Sequence, residues 1–339
     1  MKSVTVIIPN WNGMAYLKTC LDSLSRQDTD DFETLVVDNH SEDGSVAFIR
    51  EQYPWVRLIV HEENLGFTGG VNAGIEASET PFVLLLNNDT ECDPGFVRNL
   101  LQAIERDPKI FSVSSRMVRF REREILDDAG DYYTVLGYQA QRLTGYPVTD
   151  KRALKPRRVF SACAGAAVYR RSVFREMGLF DPDHFAYLED IDVGYRAMIY
   201  GYRNVYEPSA VVYHVGSGAS GAVQYSPFKV RLSARNNLYL LYKNMPGFFR
   251  GLNALPLALG RAVKKRFFKG LGFEEAYLDG IREGKANRKN LKIVSCDFIR
   301  FFRHIGIEGL LIAYTFRYVQ EYLGRQKLKN KRAGQKETA

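Results

Sequence analysis

A chain of 339 residues with 45% hydrophobic and 25% charged residues is longer than one minimal domain and has globular composition, which excludes extensive disorder. Its net charge of +8 is unevenly spread: 21 Lys and Arg against 8 Asp and Glu from Lys243 to Ala339 make that region +13 and leave −5 for residues 1–242. An acidic body suits a cation-dependent site, and a basic tail suits an anionic surface.

The first 120 residues alternate strand and helix patterns, which predicts a βαβα arrangement around a parallel sheet. "SVTVIIP" reads as a strand, and "MAYLKTCLDSLSRQ" places Met14, Leu17, Leu21 and Leu24 on one helical face. "FETLVVDN" and "VRLIVHE" are strands on either side of the helix "DGSVAFIREQY", while "GGVNAGIEAS" begins a Gly-rich helix. "FVLLLNND" is a buried strand, "GFVRNLLQAIERD" a helix and "IFSVSSRMVRF" another strand. Residues 121–158 read as a loop or small hairpin excursion, and "VFSACAGAAVYRRSVF" as a strand entering a helix. From about residue 245 helical periodicity takes over, with Phe248, Leu252, Leu255, Leu259, Val263 and Phe267 on one face, Lys and Arg around it, and a kink expected at Pro256. The divisions expected are a catalytic domain over 1–245, a helical basic extension over 246–325 and a disordered tail over 326–339.

Cys20, Cys92, Cys163 and Cys296 form no CxxC and no cluster, against a zinc ribbon or disulfide framework and in favour of a reducing cytosol. Only "VTVII" precedes Pro9, so no signal peptide is expected, and no run reaches the roughly 18 apolar residues of a spanning helix.

Three strand ends carry the chemistry. "PNWNG" supplies Pro9, Asn10 and Asn12; "VVDNHSEDGS" supplies Asp38; "LLLNNDTE" supplies Asn87, Asn88 and Asp89. One Asp at one strand end is commonly a turn cap. Agreement among successive ends points instead to the crevice beyond the carboxyl edge of the sheet, where ligands of α/β folds bind. "ENLGFTGGVNAGI", residues 63–75, read as a loop just before a helix, contributes Asn64, Gly66, Gly70 and Asn72, with room for backbone N–H groups to approach a phosphate or sugar hydroxyl, although close helix packing explains such glycines equally well. In "FDPDHFAYLEDIDVGYR", Glu189, Asp190 and Asp192 crowd three carboxylates beside apolar residues, so one of them is a candidate general base. The alternative is a solvated acidic helix start. His214 ends the strand "SAVVYH"; an imidazole beside a carboxylate such as Asp89 makes a ligand pair for a divalent ion.

In order, "VIIPNWNG", "VVDNHSEDGS", "NLGFTGGVNAG", "LLLNNDTE", "GAAVYRRSVF", "FDPDHFAYLEDIDVGYR" and "YHVGSGASG" resemble glycosyltransferase family 2, and within it the rhamnosyltransferase-like enzymes of bacterial cell-surface polysaccharide assembly. The resemblance covers residues 3–245 and implies an α/β GT-A fold with a mostly parallel central sheet. It implies a nucleotide-diphospho-sugar donor, TDP-rhamnose by subgroup, a divalent metal (Mg²⁺ or Mn²⁺) and inversion at the anomeric carbon. By resemblance, Asp38 matches the base-recognising position, "NND" the metal motif with Asn in place of its first acid, the "ED" pair the catalytic base with Asp190 favoured over Glu189, and His214 a late metal ligand. Pro9, Asn10, Asn12, Asn64, Gly66, Gly70, Asn72, Asn87 and Asn88 fall on the donor side; Gly165, Ala166 and Asp192 are candidates for the acceptor side.

The expected acceptor is a glycan or a lipid-linked glycan, and the expected place is the cytoplasmic face of the membrane, with the basic extension on anionic lipid. A nucleotidyltransferase would want a basic Gly-rich loop near the N-terminus, and "NWNGMAYLK" is a poor one. A nucleic-acid-binding protein acting through the basic tail lacks a recognition signature, so no nucleic-acid partner is expected. A catalytically silent sugar-nucleotide binder is the remaining alternative, disfavoured by Asp38, Asp89, Asp190 and His214 occurring together.

Overall fold

Apolar runs four to seven residues long, each closed by a polar turn, bury a sheet on both faces, and the chain builds them in order. The computed structural model describes residues 2–216 and 225–337. The first half comprises β1 (Val4–Asn10), α1 (Met14–Ser25), β2 (Phe32–Asp38), α2 (Ser45–Gln52), β3 (Arg57–Val60), α3 (Gly66–Glu76) and β4 (Phe82–Leu86). Next come β5 (Thr90–Cys92), α4 (Phe96–Glu105), β6 (Ile110–Arg119), β7 (Leu126–Asp128), β8 (Asp131–Tyr133), β9 (Gln139–Gln141), β10 (Arg157–Val159) and β11 (Ala166–Arg170). Helices α5 (Arg171–Met177) and α6 (Glu189–Tyr200) lead to β12 (Arg203–His214). After it run α7 (Pro227–Asn244), α8 (Gly247–Leu252), α9 (Ala254–Gly270), α10 (Glu274–Ala286) and α11 (Phe298–Glu337).

The main path of the sheet is β10-β12-β6-β11-β4-β1-β2-β3. β1 runs parallel to both β2 and β4, β2 to β3, and β6 to β12; β11 inserts antiparallel between β4 and β6. All five side chains of β4 are buried, as are Val6, Ile7 and Ile8 of β1. Each such side chain contributes roughly 1.5–3 kcal/mol, which fixes the strands and so the positions of their ends. The chain moves from β1 toward β2 on one side and β4 lies on the other, so the crevice opens beyond Asn10, Asp38 and Leu86.

Three expectations need correction. The Gly-rich stretch is helix from Gly66 onward, not a loop before one. The 121–158 excursion contains a hairpin, β8 with β9, the second of the two forms expected, and Tyr132, Tyr133, Asp128, Asp131 and Arg142 are buried in it despite its polar pattern. The break near Pro256 falls at Asn253, between α8 and α9, because proline in the first turn of a helix costs no internal hydrogen bond. Beyond residue 325, α11 remains helical to Glu337.

The C-terminal helices share a core with the sheet domain. Tyr133, Phe160, Ile191 and Tyr195 pack with Leu240, Met245, Phe249, Leu257, Ile307, Leu311 and Tyr314. No helix of the described residues is long and apolar enough to cross a membrane.

Candidate active site

A cleft of about 910 Å³ opens at the carboxyl edge of the sheet. Pro9, Asn10, Asn64, Gly66, Asn87, Asn88, Asp89, Gly165, Glu189, Asp190 and His214 all line it, although they come from six separate stretches of sequence. Its floor is an amide chain across three strands. Asn88 Nδ2 donates to Asn10 Oδ1 at 2.7 Å, and Asn10 Nδ2 donates to Asp38 Oδ2 at 2.7 Å. Parallel pairing sets Asn10 directly opposite Asp38, which makes the second bond possible. Gly13 must be glycine here, since a Cβ would lie 2.0 Å from Asn88 Nδ2 and 2.3 Å from Asn10 Oδ1.

Asp89 and His214 meet because β5 pairs antiparallel with β12, Thr90 standing opposite His214. His214 Nε2 lies 3.3 Å from Asp89 Oδ1, and Nδ1 lies 2.7 Å from Asp127 Oδ2. Burial pulls the imidazole down, but its hydrogen bonds to Asp127 and Asp89 outweigh that and push it up to about 10.

Glu189 and Asp190 open α6 on the opposite wall. Burial raises both carboxyls, Asp190 to about 6, with a hydrogen bond from Ile191 N at 2.8 Å opposing the rise; the charge of Asp190 raises Glu189 further. The segment before them is strained: Phe185, Tyr187 and Leu188 hold φ of 61°, 73° and 65°, rarely adopted by side chains of that size. Asn236 of α7 clamps it. Its Nδ2 donates to the carbonyls of His184, Ala186 and Tyr187 at 2.9, 2.9 and 2.8 Å, while Arg235 Nε donates to Asn236 Oδ1 at 3.0 Å and fixes which way the amide points. On the other side Gly66, at φ +73°, lies so close to Phe185 that a Cβ would fall 2.5 Å from its ring.

Several candidates stand away from the cleft lining. Asp38 is fully buried, with its oxygens taken by Asn10 and the Ser41 amide, so it props the edge from below. Asn12 is an exposed turn residue accepting from Glu42 N. Gly70 lets α3 approach Asn39 and Pro9, and Asn72 ties α3 to Phe180 through both amide atoms. Ala166 is buried within β11 opposite Leu86. Asp192 belongs to a buried ion network: Arg196 Nη2 at 2.8 Å, Lys243 Nζ at 3.0 Å and Asn244 Nδ2 at 2.6 Å. Burial opposes its charge, yet Arg196 and Lys243 hold it far below the ordinary carboxylate range.

The sequence of residues 5–178, just over half of the chain, matches the family model described as glycosyl transferase family 2. The chain belongs to glycosyl transferase family 2. It is 29% identical over 237 residues to a protein of Mycobacterium tuberculosis named N-acetylglucosaminyl-diphospho-decaprenol L-rhamnosyltransferase, covering 64% of this chain and 77% of that one. A Bacillus subtilis protein named uncharacterized glycosyltransferase YwdF is 28% identical over 183 residues, 53% of this chain and 62% of its own. Among solved structures, the S. aureus TarS 1–349 complex with UDP aligns with a TM-score of 0.55 at 18% identity, over 98% of this chain and 92% of that one. The mannosyltransferase PcManGT from Pyrobaculum calidifontis, in complex with GDP-Man and Mn²⁺, aligns with a TM-score of 0.51 at 18% identity, over 97% and 86%. This family 2 chain is therefore a glycosyltransferase with the GT-A fold, an α/β core carrying C-terminal helices.

For a family 2 member, the donor set at Asp89 and His214 fits a divalent cation. A carboxylate oxygen and an imidazole nitrogen face each other at the cleft; the two carboxylate neighbours hold the imidazole protonated, and Nε2 would give up its proton to a cation bound there. Asp127, bonded to the far ring nitrogen, is placed as an outer partner that orients the ligand. A second cluster, Asp128, Asp131 and Cys163, brings three ligand atoms within 4.8 Å of one another. There burial pushes Asp128 up to about 7 and Asp131 well above its usual range, so at neutral pH this pair favours a retained proton. Sequence reading missed Asp127, Asn39, Asn236 and the cleft aromatics Trp11, Phe185, Tyr187 and Phe228. Of these Trp11, Asn39, Phe185 and Tyr187 stood inside quoted motifs, Trp11 and Asn39 each beside a residue that was chosen, whereas Asp127, Asn236 and Phe228 stood outside them.

Proposed function

We propose that the chain moves a sugar, rhamnose by the name of the M. tuberculosis relative, from a nucleoside diphosphate to a hydroxyl of a lipid-linked glycan, with inversion. The observation that carries this reading is the convergence, in one cleft, of a polar strand-end floor, the Asp89–His214 pair and the Glu189 and Asp190 carboxyls with raised pKa. Asn10, Asn64, Gly66, Asn87 and Asn88 form the donor side. Asp89 and His214 would hold Mg²⁺ or Mn²⁺, which when bound stabilises the negative charge growing on the leaving diphosphate. Asp190 accepts the proton of the acceptor hydroxyl as its oxygen bonds the anomeric carbon and the bond from that carbon to the diphosphate breaks. The clamped segment 184–188 holds Asp190 in place and walls the cleft.

The acceptor reading follows the decaprenol-linked substrate in the name of the M. tuberculosis relative. It places the chain at the cytoplasmic face of a membrane, with the basic extension on anionic lipid. In support, Phe248, Leu252, Leu255, Leu259, Val263 and Phe267 are all exposed. The test is incubation with a panel of nucleotide sugars, Mn²⁺ and short-chain lipid-diphosphate glycans. Mass spectrometry should show nucleoside diphosphate release and a deoxyhexose added from TDP-rhamnose. Release from no donor would sink the reading, and release from a different donor would correct the sugar.

A further inference from the structure

Helix α11 presents an outward row that sequence periodicity did not single out. Phe298, Phe302, Ile305, Ile312, Phe316 and Leu323 are 77%, 55%, 50%, 48%, 67% and 55% exposed, at spacings of three and four that Gly309 and Val319 complete. No exposed residue from Phe298 to Leu323 carries a charge. The row spans about 38 Å at 1.5 Å per residue. The opposite face is firmly seated, with Ile307, Leu311 and Tyr314 buried in the body, so the outward row is held outward.

Helix α9 runs beside it in the same direction. Asn253, at its start, bonds Glu308; further along, Tyr138 of the β8–β9 turn donates to Gly260 O at 2.8 Å and packs its ring 6.1 Å from that of Tyr318. Both helices thus lay one face on the body and leave the other open. Leu255, Leu259, Val263 and Phe267 continue the apolar surface on α9, and the exposed cations Lys265, Arg266 and Lys269 stand at its far end. That end reaches the cleft: the Tyr225 ring lies 5.7 Å from Phe267, and Phe228, three residues on, lines the cleft and packs 6.2 Å from Phe185.

We propose that α9 and α11 together form one surface that lies on an anionic bilayer and delivers the lipid end of the acceptor to the mouth of the cleft beside Phe228; this rests on the reading of the acceptor as lipid-linked. Apolar groups sunk in the headgroup region with cations at the edge are the pattern of an interfacial helix, here two helices wide. The three-and-four spacing of α11 alone would also suit a second copy. Against that, the flanking positions Ile299, Gly306, Ala313 and Gln320 offer no charges to set a pairing register, and two copies would bring like-charged rims together.

The full chain and the double variant Ile312→Glu, Phe316→Glu are sedimented with phosphatidylglycerol–phosphatidylcholine vesicles and with pure phosphatidylcholine vesicles at low salt. Donor turnover with a short, water-soluble acceptor is measured on the same samples. The expected result is binding to anionic vesicles that falls at least about tenfold in the variant, with turnover and Tm unchanged. Binding by the variant equal to that of the original chain overturns the proposal, as does failure of the original chain to bind. A lipid-free dimer in sedimentation velocity that the substitutions split also overturns it and assigns the face to a second copy. Vesicle binding without turnover of any donor would instead fault the catalytic reading and leave the surface standing.

Discussion

Asp190 and Asp192 stand two apart in one helix, so they point to nearly opposite faces, one into the cleft and the other into the Arg196–Lys243 network. A string of acids announces carboxylates but not their directions, which is why sequence reading grouped them. Asp89 and His214 were each readable as strand-end ligand candidates, but their meeting depends on β5 pairing with β12, and the contact of Asp127 with the imidazole depends on how the 121–158 excursion folds back. Asp127→Ala is expected to weaken Mn²⁺ binding by about 10–100-fold, as loss of an outer partner does, read by titration of the Mn²⁺ paramagnetic resonance signal. Unchanged affinity would remove Asp127 from that role. Burial also sets a pH dependence. With Asp190 raised to about 6, the proposed base is ionised above that value and protonated below it. Turnover under saturating donor should therefore fall as pH drops through about 6, whereas an ordinary aspartate would keep it to about 4.

The segment 184–188 is held by α7 more than by its own sequence. No local pattern foretells three positive φ values at Phe185, Tyr187 and Leu188, because the stabilising amide lies about fifty residues away at Asn236. Asn236→Asp keeps the shape and removes the donors, each hydrogen bond being about 1 kcal/mol. Amides of residues 184–188 should then exchange hydrogen at least about tenfold faster and kcat should fall, with nucleoside diphosphate affinity nearly unchanged. Unaltered exchange in that segment would refute the clamp. Joining α6 to α7, the Asp192 network is a stability element. Asp192→Asn leaves Arg196 without its buried counter-charge and Lys243 with Asp181 alone, and should cost about 3–5 kcal/mol in denaturant unfolding. Since the folded pKa of Asp192 is depressed, its contribution is complete above the unfolded value near 4 and is lost as pH falls below it.

At the scale of the whole molecule, the charge division between body and tail was plain in the sequence, and so was the change to helices near residue 245. The shared core was not: periodicity shows which face of a helix is apolar, never what covers it. One row of the extension is buried against Tyr133, Phe160 and Tyr195, and the other rows remain exposed. A chain ending near Lys243 would uncover Leu240, Leu241 and Tyr195, and is expected to be recovered aggregated, whereas the full chain melts in a single transition. The proposed transfer requires a base in the cleft that acts separately from donor binding. The most direct measurement is single-turnover transfer from the accepted donor by Asp190→Asn, with donor affinity measured in parallel by calorimetry. The predicted result is a rate lower by about 10²–10⁴ with donor affinity unchanged. Rate and donor affinity falling together would place Asp190 in the donor site and contradict the account.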